Sequence, residues 1–509
     1  MRKVLITTPI FYANAKPHIG HLYTVILSDY TKKIYQLFGY SPLLSTGTDE
    51  HGMKIYKAAR KAGYDTLEFC DINAKAFEDM LKAAKVDYDV FTRTTSKEHK
   101  EAVIVFWKAL KNKIRLGKHI GYYSSVEEAF VPENEVMRNY KERIYIHTKT
   151  GNTLNKVFEN NYLFPLGEYR EQLKEIYDKD KIKLTQSIKN QILAEINSLT
   201  QDVSISRPRV RVNWGLTVPD DEEQSIYVWL DALVNYYTAL KYPITNPKDN
   251  ELYSNIIHII GKDIIRFHSI LWPAFLLAND YPLPREIITH NFWLMDGNKI
   301  SKSLGNVVST ESVLKTYGSD LIRWHLLKQG PFDHDEIFLE DKIVKADNVR
   351  KEFANTVTRI MSSNPMKRSN GLLLVSEEPD ITTKEFVGEF NRIAGSVYSL
   401  NVNPTESIGK LISLMRLTNR YIDETRFWTA SEEKVKVIVG TICEALKATC
   451  VLLYPVVPEY ILKAIEFFGI RKEDFNIEKA KIEIHKGKEV TFNYGARDKT
   501  FIDKFNYNT

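Results

Sequence analysis

Cysteine is scarce in this chain of 509 residues: only Cys70, Cys443 and Cys450 occur, and no two of them form a C-x-x-C pair. That excludes a disulfide framework and a cysteine-built zinc site, and leaves reduced, buried thiols as the expectation. Long apolar runs are missing too. None approaches the ~18 residues needed to cross a bilayer, so no membrane partner is expected. Nor does one sign of charge dominate. The 70 basic and 65 acidic residues leave a net charge of +5, which permits a nucleic-acid partner through local patches but does not require one. With 43% hydrophobic and 27% charged residues, the composition is that of a folded protein and not of a disordered one. Repeats and low-complexity tracts are absent. The start, Met1-Arg2-Lys3, leads at once into an apolar run. That leaves no room for a leader and makes the cytoplasm the expected location.

What is present, first, is a rhythm. Residues 4–8 form an apolar run of strand type. From Leu22 the apolar positions Val25, Ile26, Tyr30, Ile34 and Leu37 fall at helical spacing, and Gly39 ends that helix. Residues 41–46 read as a second strand, and Gly47-Thr48-Asp49-Glu50-His51-Gly52 as the turn after it. This alternation implies an α/β fold, a Rossmann-like parallel sheet covered on both faces over residues 1–115. Ligands of such sheets bind at the carboxyl ends of the strands. The rhythm stops over residues 116–205, rich in Tyr, Lys, Glu and Asn, which read as an inserted domain splitting the sheet domain. It resumes over residues 206–340, with strand-like runs near 226–230, 255–260 and 287–295. Over residues 341–509 the strands disappear. Amphipathic segments near 341–362, 385–402, 405–424, 432–453 and 456–468 predict an α-helical bundle, and the charged tail is expected to pack back on the body.

Two short strings carry the chemistry. His18-Ile19-Gly20-His21 follows the first strand-like run, and Lys299-Ile300-Ser301-Lys302-Ser303 lies in a polar loop after residues 287–295. His18 and His21 are three apart, so at a helix start they share one face. Gly20 lets a nucleotide approach the backbone, and the helix N-terminus favours phosphate. Lys299 and Lys302 bracket Ser301, with Gly297 and Gly305 as hinges. Their ammonium groups suit a clamp that neutralises charge on a leaving pyrophosphate. Together the two strings point to activation of an acid by ATP. Asp49, a carboxylate at a strand's carboxyl end, suits an ammonium group.

The two strings resemble the signature motifs of class I aminoacyl-tRNA synthetases, the second with Ile300 where methionine is commonest. The neighbouring text resembles the methionyl-tRNA synthetases: Thr8-Pro9-Ile10-Phe11-Tyr12-Ala13-Asn14, the 46–52 turn, Ser204-Ile205-Ser206-Arg207, Tyr227-Val228-Trp229-Leu230-Asp231-Ala232-Leu233 and Gly261-Lys262-Asp263-Ile264-Ile265-Arg266-Phe267-His268. The resemblance implies a methionine pocket lined by Ile10, Tyr12, Trp229, Ala232, Leu233, Tyr236, Ile264 and His268, with Asp49 on the α-ammonium. Methionine's thioether wants apolar walls and one donor, for which Tyr12 or His268 would serve. It implies Asp263 and Ser301 beside Gly20 as ATP contacts, Mg²⁺ arriving with the nucleotide, and a helical half that reads the anticodon of tRNA(Met) through Asn355, Arg359 and Trp428. Relatives often carry zinc knuckles in the insertion. Here the comparable stretch, Gly121-Tyr122-Tyr123-Ser124-Ser125-Val126-Glu127-Glu128-Ala129-Phe130, has no cysteine, so a zinc-free insertion is expected. It is also too short for the hydrolytic editing domain of the isoleucine, valine and leucine enzymes. A monomer is the default. The rival readings are a synthetase for another amino acid, a catalytically silent RNA-binding relative and a small-molecule nucleotidyltransferase.

Overall fold

The computed structural model describes residues 2–126, 128–131, 133–140, 142, 144–295, 298–299, 308–368 and 372–492. From the amino end come β1 (Lys3–Thr7), β2 (Phe11–Tyr12), α1 (Ile19–Leu37), β3 (Ser41–Asp49), α2 (Met53–Ala62), α3 (Thr66–Ala83), β4 (Val90–Arg93) and α4 (Lys97–Leu110). Val4, Leu5 and Ile6 are fully buried. Both faces of the sheet are covered, so β1 reads as a continuous apolar run and not as an alternating one. The second strand does not stop at residue 46. It continues to Asp49, because β2 and β4 both pair in parallel with its last residues. Gly47 lets β4 come this close, since a Cβ there would lie 1.9 Å from the Thr92 carbonyl oxygen. The turn is thereby shortened to residues 50–52.

The segment that follows is antiparallel. β5 (Arg115–Ser124), β6 (Ala129–Val131), β7 (Val136–Asn139), β8 (Ile144–His147) and β9 (Thr153–Phe164) precede two helices, α5 (Arg170–Asp178) and α6 (Gln186–Asn197), and β10 (Val203–Ser204) returns to β9. Then come β11 (Ser206–Pro208), β12 (Thr217–Val218), β13 (Asp221–Ile226), α7 (Val228–Thr238), β14 (Ile256–Gly261), α8 (Trp272–Ala278), β15 (Glu286–His290), β16 (Trp293–Met295), β17 (Asn298–Lys299), α9 (Thr310–Tyr317), α10 (Ser319–Gln329) and β18 (Glu336–Ile337). The run at 226–230 is not a strand of the parallel sheet. Ile226 ends β13 of a small antiparallel sheet, and Val228 opens α7. A short apolar run serves a buried helical turn as well as a strand.

The parallel sheet is ordered β15-β14-β1-β3-β2, with β4 also on β3. The chain leaves β1 for β3 on one side and returns much later to β14 on the other. β1 is therefore the place where strand order reverses, and a crevice opens there at the carboxyl ends. α1 covers the sheet and is buried on nearly every side, including Asp29, Lys32 and Lys33. The helix is sandwiched between the sheet and the helical half, which a stripe of apolar positions does not convey.

The helical half comprises α11 (Lys342–Lys345), α12 (Asn355–Met361), α13 (Asn364–Arg368), β19 (Leu372–Leu374), α14 (Ile381–Ala394), α15 (Pro404–Thr425), α16 (Glu432–Leu453), α17 (Pro458–Phe468) and β20 (Glu489–Thr491). The helix expected over 341–362 is broken. Trp324 Nε1 donates to the Ala346 carbonyl at 2.8 Å, and a π-helical turn, Val349–Ala354, precedes α12. Strands do not vanish after 341 either: β19 pairs antiparallel with β20, a strand drawn from the tail.

Candidate active site

The crevice beside β1 is entered by the first turn of α1. His18 is the N-cap of that helix. Its Nδ1 accepts from the Gly20 backbone N–H at 3.1 Å, and His21 Nδ1 accepts from the His18 backbone N–H at 3.1 Å, a reciprocal capping box. Since each Nδ1 accepts, the neutral rings carry their proton on Nε2. The two rings stack with centroids 3.8 Å apart, so both Nε2–H groups belong to one compact donor face. Gly20 also serves this arrangement. A Cβ at residue 20 would stand 3.0 Å from His18 Cε1, so the missing side chain makes room for the His18 ring.

The lysine-bearing segment is anchored at this same helix start. On its amino side, His290 Nε2 meets Thr24 Oγ1 at 2.9 Å, and Trp293 packs edge-on against Tyr23. β16 then pairs with β17, placing the Lys299 backbone opposite Leu294. On its carboxyl side, Ser309 makes an antiparallel bridge with His18 itself. Ser301 and Lys302 lie outside the described residues. Asp263 is exposed just beyond β14, close against Gly261, where a Cβ would meet its Oδ1 at 2.8 Å.

The residues expected to hold the amino-acid side chain come from α7, β2 and the segment after β14. Trp229, Ala232, Leu233 and Tyr236 recur on one face of α7, and Ala232, Leu233 and Tyr236 are buried. Ile10, Tyr12 and Ile264 are half-buried. Tyr236 Oη meets His268 Nε2 at 2.6 Å, while His268 Nδ1 donates to the Ile264 carbonyl at 3.0 Å. Burial pushes the His268 imidazole down to about 4, so the ring is neutral. With Nδ1–H spent on a carbonyl, Nε2 accepts from Tyr236 and no N–H remains to give away. His268 therefore cannot be the sulfur donor for which the sequence reading made it a candidate; of the two named there, Tyr12 remains. Trp229 is stacked on Phe267 with centroids 3.6 Å apart and rings 5° from parallel.

Asp49, the last residue of β3, is 3% exposed, and its Oδ1 is buried without a hydrogen-bond partner among the described residues. Burial, then the charges of Asp231 and Glu128, push its carboxyl well above the usual range. Behind it, Asp231 is shared by two imidazoles, His51 Nδ1 at 2.6 Å and His99 Nε2 at 2.9 Å. Burial alone would raise Asp231; the two histidines outweigh it and hold the carboxyl well below its ordinary value. A buried carboxyl with one oxygen unpartnered among the described residues and with two further acidic groups acting on it is suited to receive a cationic group.

In the helical half, Asn355 and Arg359 are exposed on α12. Asn355 Nδ2 donates to the Lys351 carbonyl at 2.9 Å, and Arg359 Nη2 donates to Asp423 Oδ1 at 2.8 Å. Where the π-helical turn meets α15, Glu352 and Arg416, Asn419, Arg420, Asp423, Glu424 and Arg426 line an open groove of about 660 Å³. Trp428 is 58% exposed on the turn after α15, so its indole is not part of the core.

Comparison with known proteins decides between a methionine pocket and its rivals. Residues 4–362 match the family described as tRNA synthetases class I (M). The probable mitochondrial methionine–tRNA ligase of Neurospora crassa is 35% identical over 506 residues, covering 94% of this chain and 81% of that protein. The methionine–tRNA ligase of Rickettsia felis is 33% identical over 487 residues, 92% of each. The chain belongs to the class I methionyl-tRNA synthetases. Its fold agrees with a solved structure of Mycobacterium tuberculosis methionyl-tRNA synthetase in complex with methionyl-adenylate, at a TM-score of 0.87 and 28% identity over 97% of this chain and 98% of that one. The free-state structure of that protein gives 0.79. The chain is thus a methionine–tRNA ligase that uses ATP.

Several residues of this synthetase site were not singled out in the sequence. Asp231 and Phe267 lie inside strings quoted for the resemblance, and their roles emerge only from contacts with His51, His99 and Trp229. A signal was available. Asp231 is a carboxylate inside an apolar helix, and His258 is a lone imidazole inside the strand Ile256–Gly261. Buried polar groups of that kind must find partners, and His258 Nδ1 does so with Thr7 Oγ1 at 2.8 Å. Among the described residues no group of three or more His, Cys, Asp or Glu could hold a metal ion.

Proposed function

We propose that this enzyme activates L-methionine through the stacked pair His18 and His21 together with Lys299 and Lys302, and transfers the methionyl group to the 3′ end of tRNA(Met). Methionine lies along the pocket of Ile10, Tyr12, Trp229, Ala232, Leu233, Tyr236, Ile264 and His268. Asp49 holds its ammonium, and Tyr12 reaches toward the sulfur. A carboxylate oxygen of methionine then attacks the α-phosphorus of ATP and pyrophosphate leaves. The Nε2–H groups of His18 and His21 stabilise the charge that develops on the phosphoryl oxygens. Lys299 and Lys302 neutralise the departing pyrophosphate, Ser301 contacts the nucleotide, and Asp263 takes its ribose hydroxyls. Mg²⁺ enters as part of the nucleotide substrate. Proximity supplies much of the rate, and no covalent bond to the enzyme forms. A ribose hydroxyl of the terminal adenosine next attacks the acyl carbon, and AMP leaves. Asn355, Arg359 and Trp428 read the anticodon, Arg359 exchanging Asp423 for a base.

One observation carries this reading: both ends of the lysine-bearing segment are tied to the first turns of the helix that His18 caps. The enzyme works as a monomer with a zinc-free insertion. We place it in the cytoplasm, a reducing compartment that suits three free, buried thiols; cell fractionation tests this against the mitochondrial and bacterial names of its relatives. The activity is tested by ATP–pyrophosphate exchange with each of the twenty amino acids. Methionine alone should support exchange. Equal exchange with leucine would refute the pocket, and metal analysis finding stoichiometric zinc would refute the zinc-free insertion.

A further inference from the structure

Glu128 sits in the turn between β5 and β6, far in sequence from the amino-acid site, yet it is only 4% exposed. Its Oε1 accepts from the Lys54 backbone N–H at 3.0 Å, at the start of α2. That helix has Gly52 as its N-cap, with no side chain to cap it. The Glu128 carboxylate takes that place from another segment and adds negative charge at the positive end of the helix. It lies face-on against the Gly52 backbone: a Cβ there would be 3.0 and 3.1 Å from its two oxygens. Gly52 has φ +100°, and Glu128 itself has φ +51°, a left-handed conformation that a side chain adopts only where its surroundings impose it.

The 50–52 turn is held from the other side as well. Trp214 Nε1 donates to the Glu50 carbonyl at 2.6 Å, and the Gly52 N–H donates to the Trp214 carbonyl at 2.8 Å. Asp49 is the residue immediately before this clamped turn. Glu128 Oε2, like Asp49 Oδ1, is buried without a hydrogen-bond partner among the described residues.

Building on the methionine reading above, we propose that Glu128 is a positioning residue: from the inserted segment it caps α2, fixes the turn after Asp49 and so sets the methionine ammonium site. The insertion is thereby part of amino-acid recognition and not only a spacer. Glu128 acts in two separable ways, through a hydrogen bond that an amide can replace and through a charge that it cannot. The charge is felt by Asp49 together with those of Asp231 on α7 and Glu50 in the turn, opposed by a hydrogen bond from the His51 backbone; the Tyr12 hydroxyl also faces the group, and Lys54 on α2 lies over the Tyr12 ring.

The test is pyrophosphate exchange by the full chain with Glu128→Ala and Glu128→Gln. Glu128→Ala should raise KM for methionine about tenfold, the effect of a lost cap, with KM for ATP changed less than about twofold. Glu128→Gln should recover most of that loss, since its carbonyl still caps α2. Asp49 must be ionised to hold an ammonium, and removing the repelling charge of Glu128 makes it ionise more easily. The acid limb of kcat/KM for methionine should therefore move to lower pH in Glu128→Gln. Wild-type KM in Glu128→Ala, or an unmoved acid limb in Glu128→Gln, overturns the proposal. The second readout stands alone if the alanine variant fails to fold. Absence of methionine-dependent exchange in the unmodified chain would instead defeat the functional reading beneath it.

Discussion

Arg323 is fully buried on α10, and its guanidinium joins three parts of the chain. Nε donates to the Val456 carbonyl at 3.0 Å, and Nη2 donates to the Pro455 carbonyl at 3.0 Å. The same Nη2 lies 2.6 Å from Asp29 Oδ2 in the middle of α1, while Lys33 pairs with Asp29 Oδ1. Arg323→Met keeps the stem and removes the charge. Breaking one partner of a buried ion pair costs about 3–5 kcal/mol, because the other is left uncompensated. Here Lys33 still compensates Asp29 in part, so the lower end, about 3 kcal/mol, is the expectation. The assay is urea unfolding of the full chain, comparing midpoints and slopes. A pH series adds a second reading. Burial would raise Asp29, but Lys33 and Arg323 hold its folded carboxyl at about 2 against 3.8 for the free group. A depressed folded pKa contributes stability that is present above the unfolded value and is lost as pH falls through the folded one. In Arg323→Met part of that pull is gone, so the variant should begin losing stability at higher pH than the parent. A midpoint change worth less than about 1 kcal/mol, with an unshifted acid limb, would refute the reasoning.

Three further outcomes follow from the site. Trp428→Ala should lower aminoacylation about 5- to 150-fold, the range for losing one stacked base, and leave methionine-dependent pyrophosphate exchange unchanged; equal losses in both reactions would make Trp428 a structural residue. Gly20→Ala should cut the exchange rate by about two orders of magnitude, since the new methyl displaces the His18 ring from its cap and small misplacements of catalytic groups cost that much; a near-normal rate would mean that the ring position is unimportant. Lys302→Ala should lose activation while isothermal titration shows methionine binding intact, and unchanged exchange would remove Lys302 from the mechanism.

The elements that the sequence made legible are those whose reasons are local. β1 and α1 announce themselves by a buried apolar run and a helical repeat, and His18 and His21 by their place between the two. α15 and α16 came out within a residue or so of their observed ends, because long amphipathic repeats are strong signals; the structure adds Asn403 and Ser431 as their N-caps. The errors fell where a distant partner decides. Residues 47–49 stay extended because β2 and β4 flank them. Ile226 joins an antiparallel strand because β11 is there to receive it. The helix at 341–362 breaks where Trp324 claims a carbonyl. β19 exists only because the tail supplies β20. None of these partners can be read from the segment itself, which is how tertiary context overrides propensity.

The site shows the same division more sharply. Motif spacing could place His18 and His21 side by side, because two histidines on one helical turn are a local fact. It could not say what holds them. α1 is one buried rod, and Asp29 lies ten residues beyond Ile19 in the same helix, about 15 Å along its axis at 1.5 Å per residue. The imidazole pair caps one end. At its middle, Arg323 binds the rod to the backbone after α16, and Lys32 anchors it to Asp87 and Asp89. Ser28 and Thr31 return their hydroxyls to carbonyls of the same helix, so the rod demands few partners for its polar groups. A helix fixed at those points cannot shift its first turn without disturbing a fully buried charge; in the mechanism proposed above, that stiffness is what keeps the two Nε2–H donors on the developing phosphoryl charge.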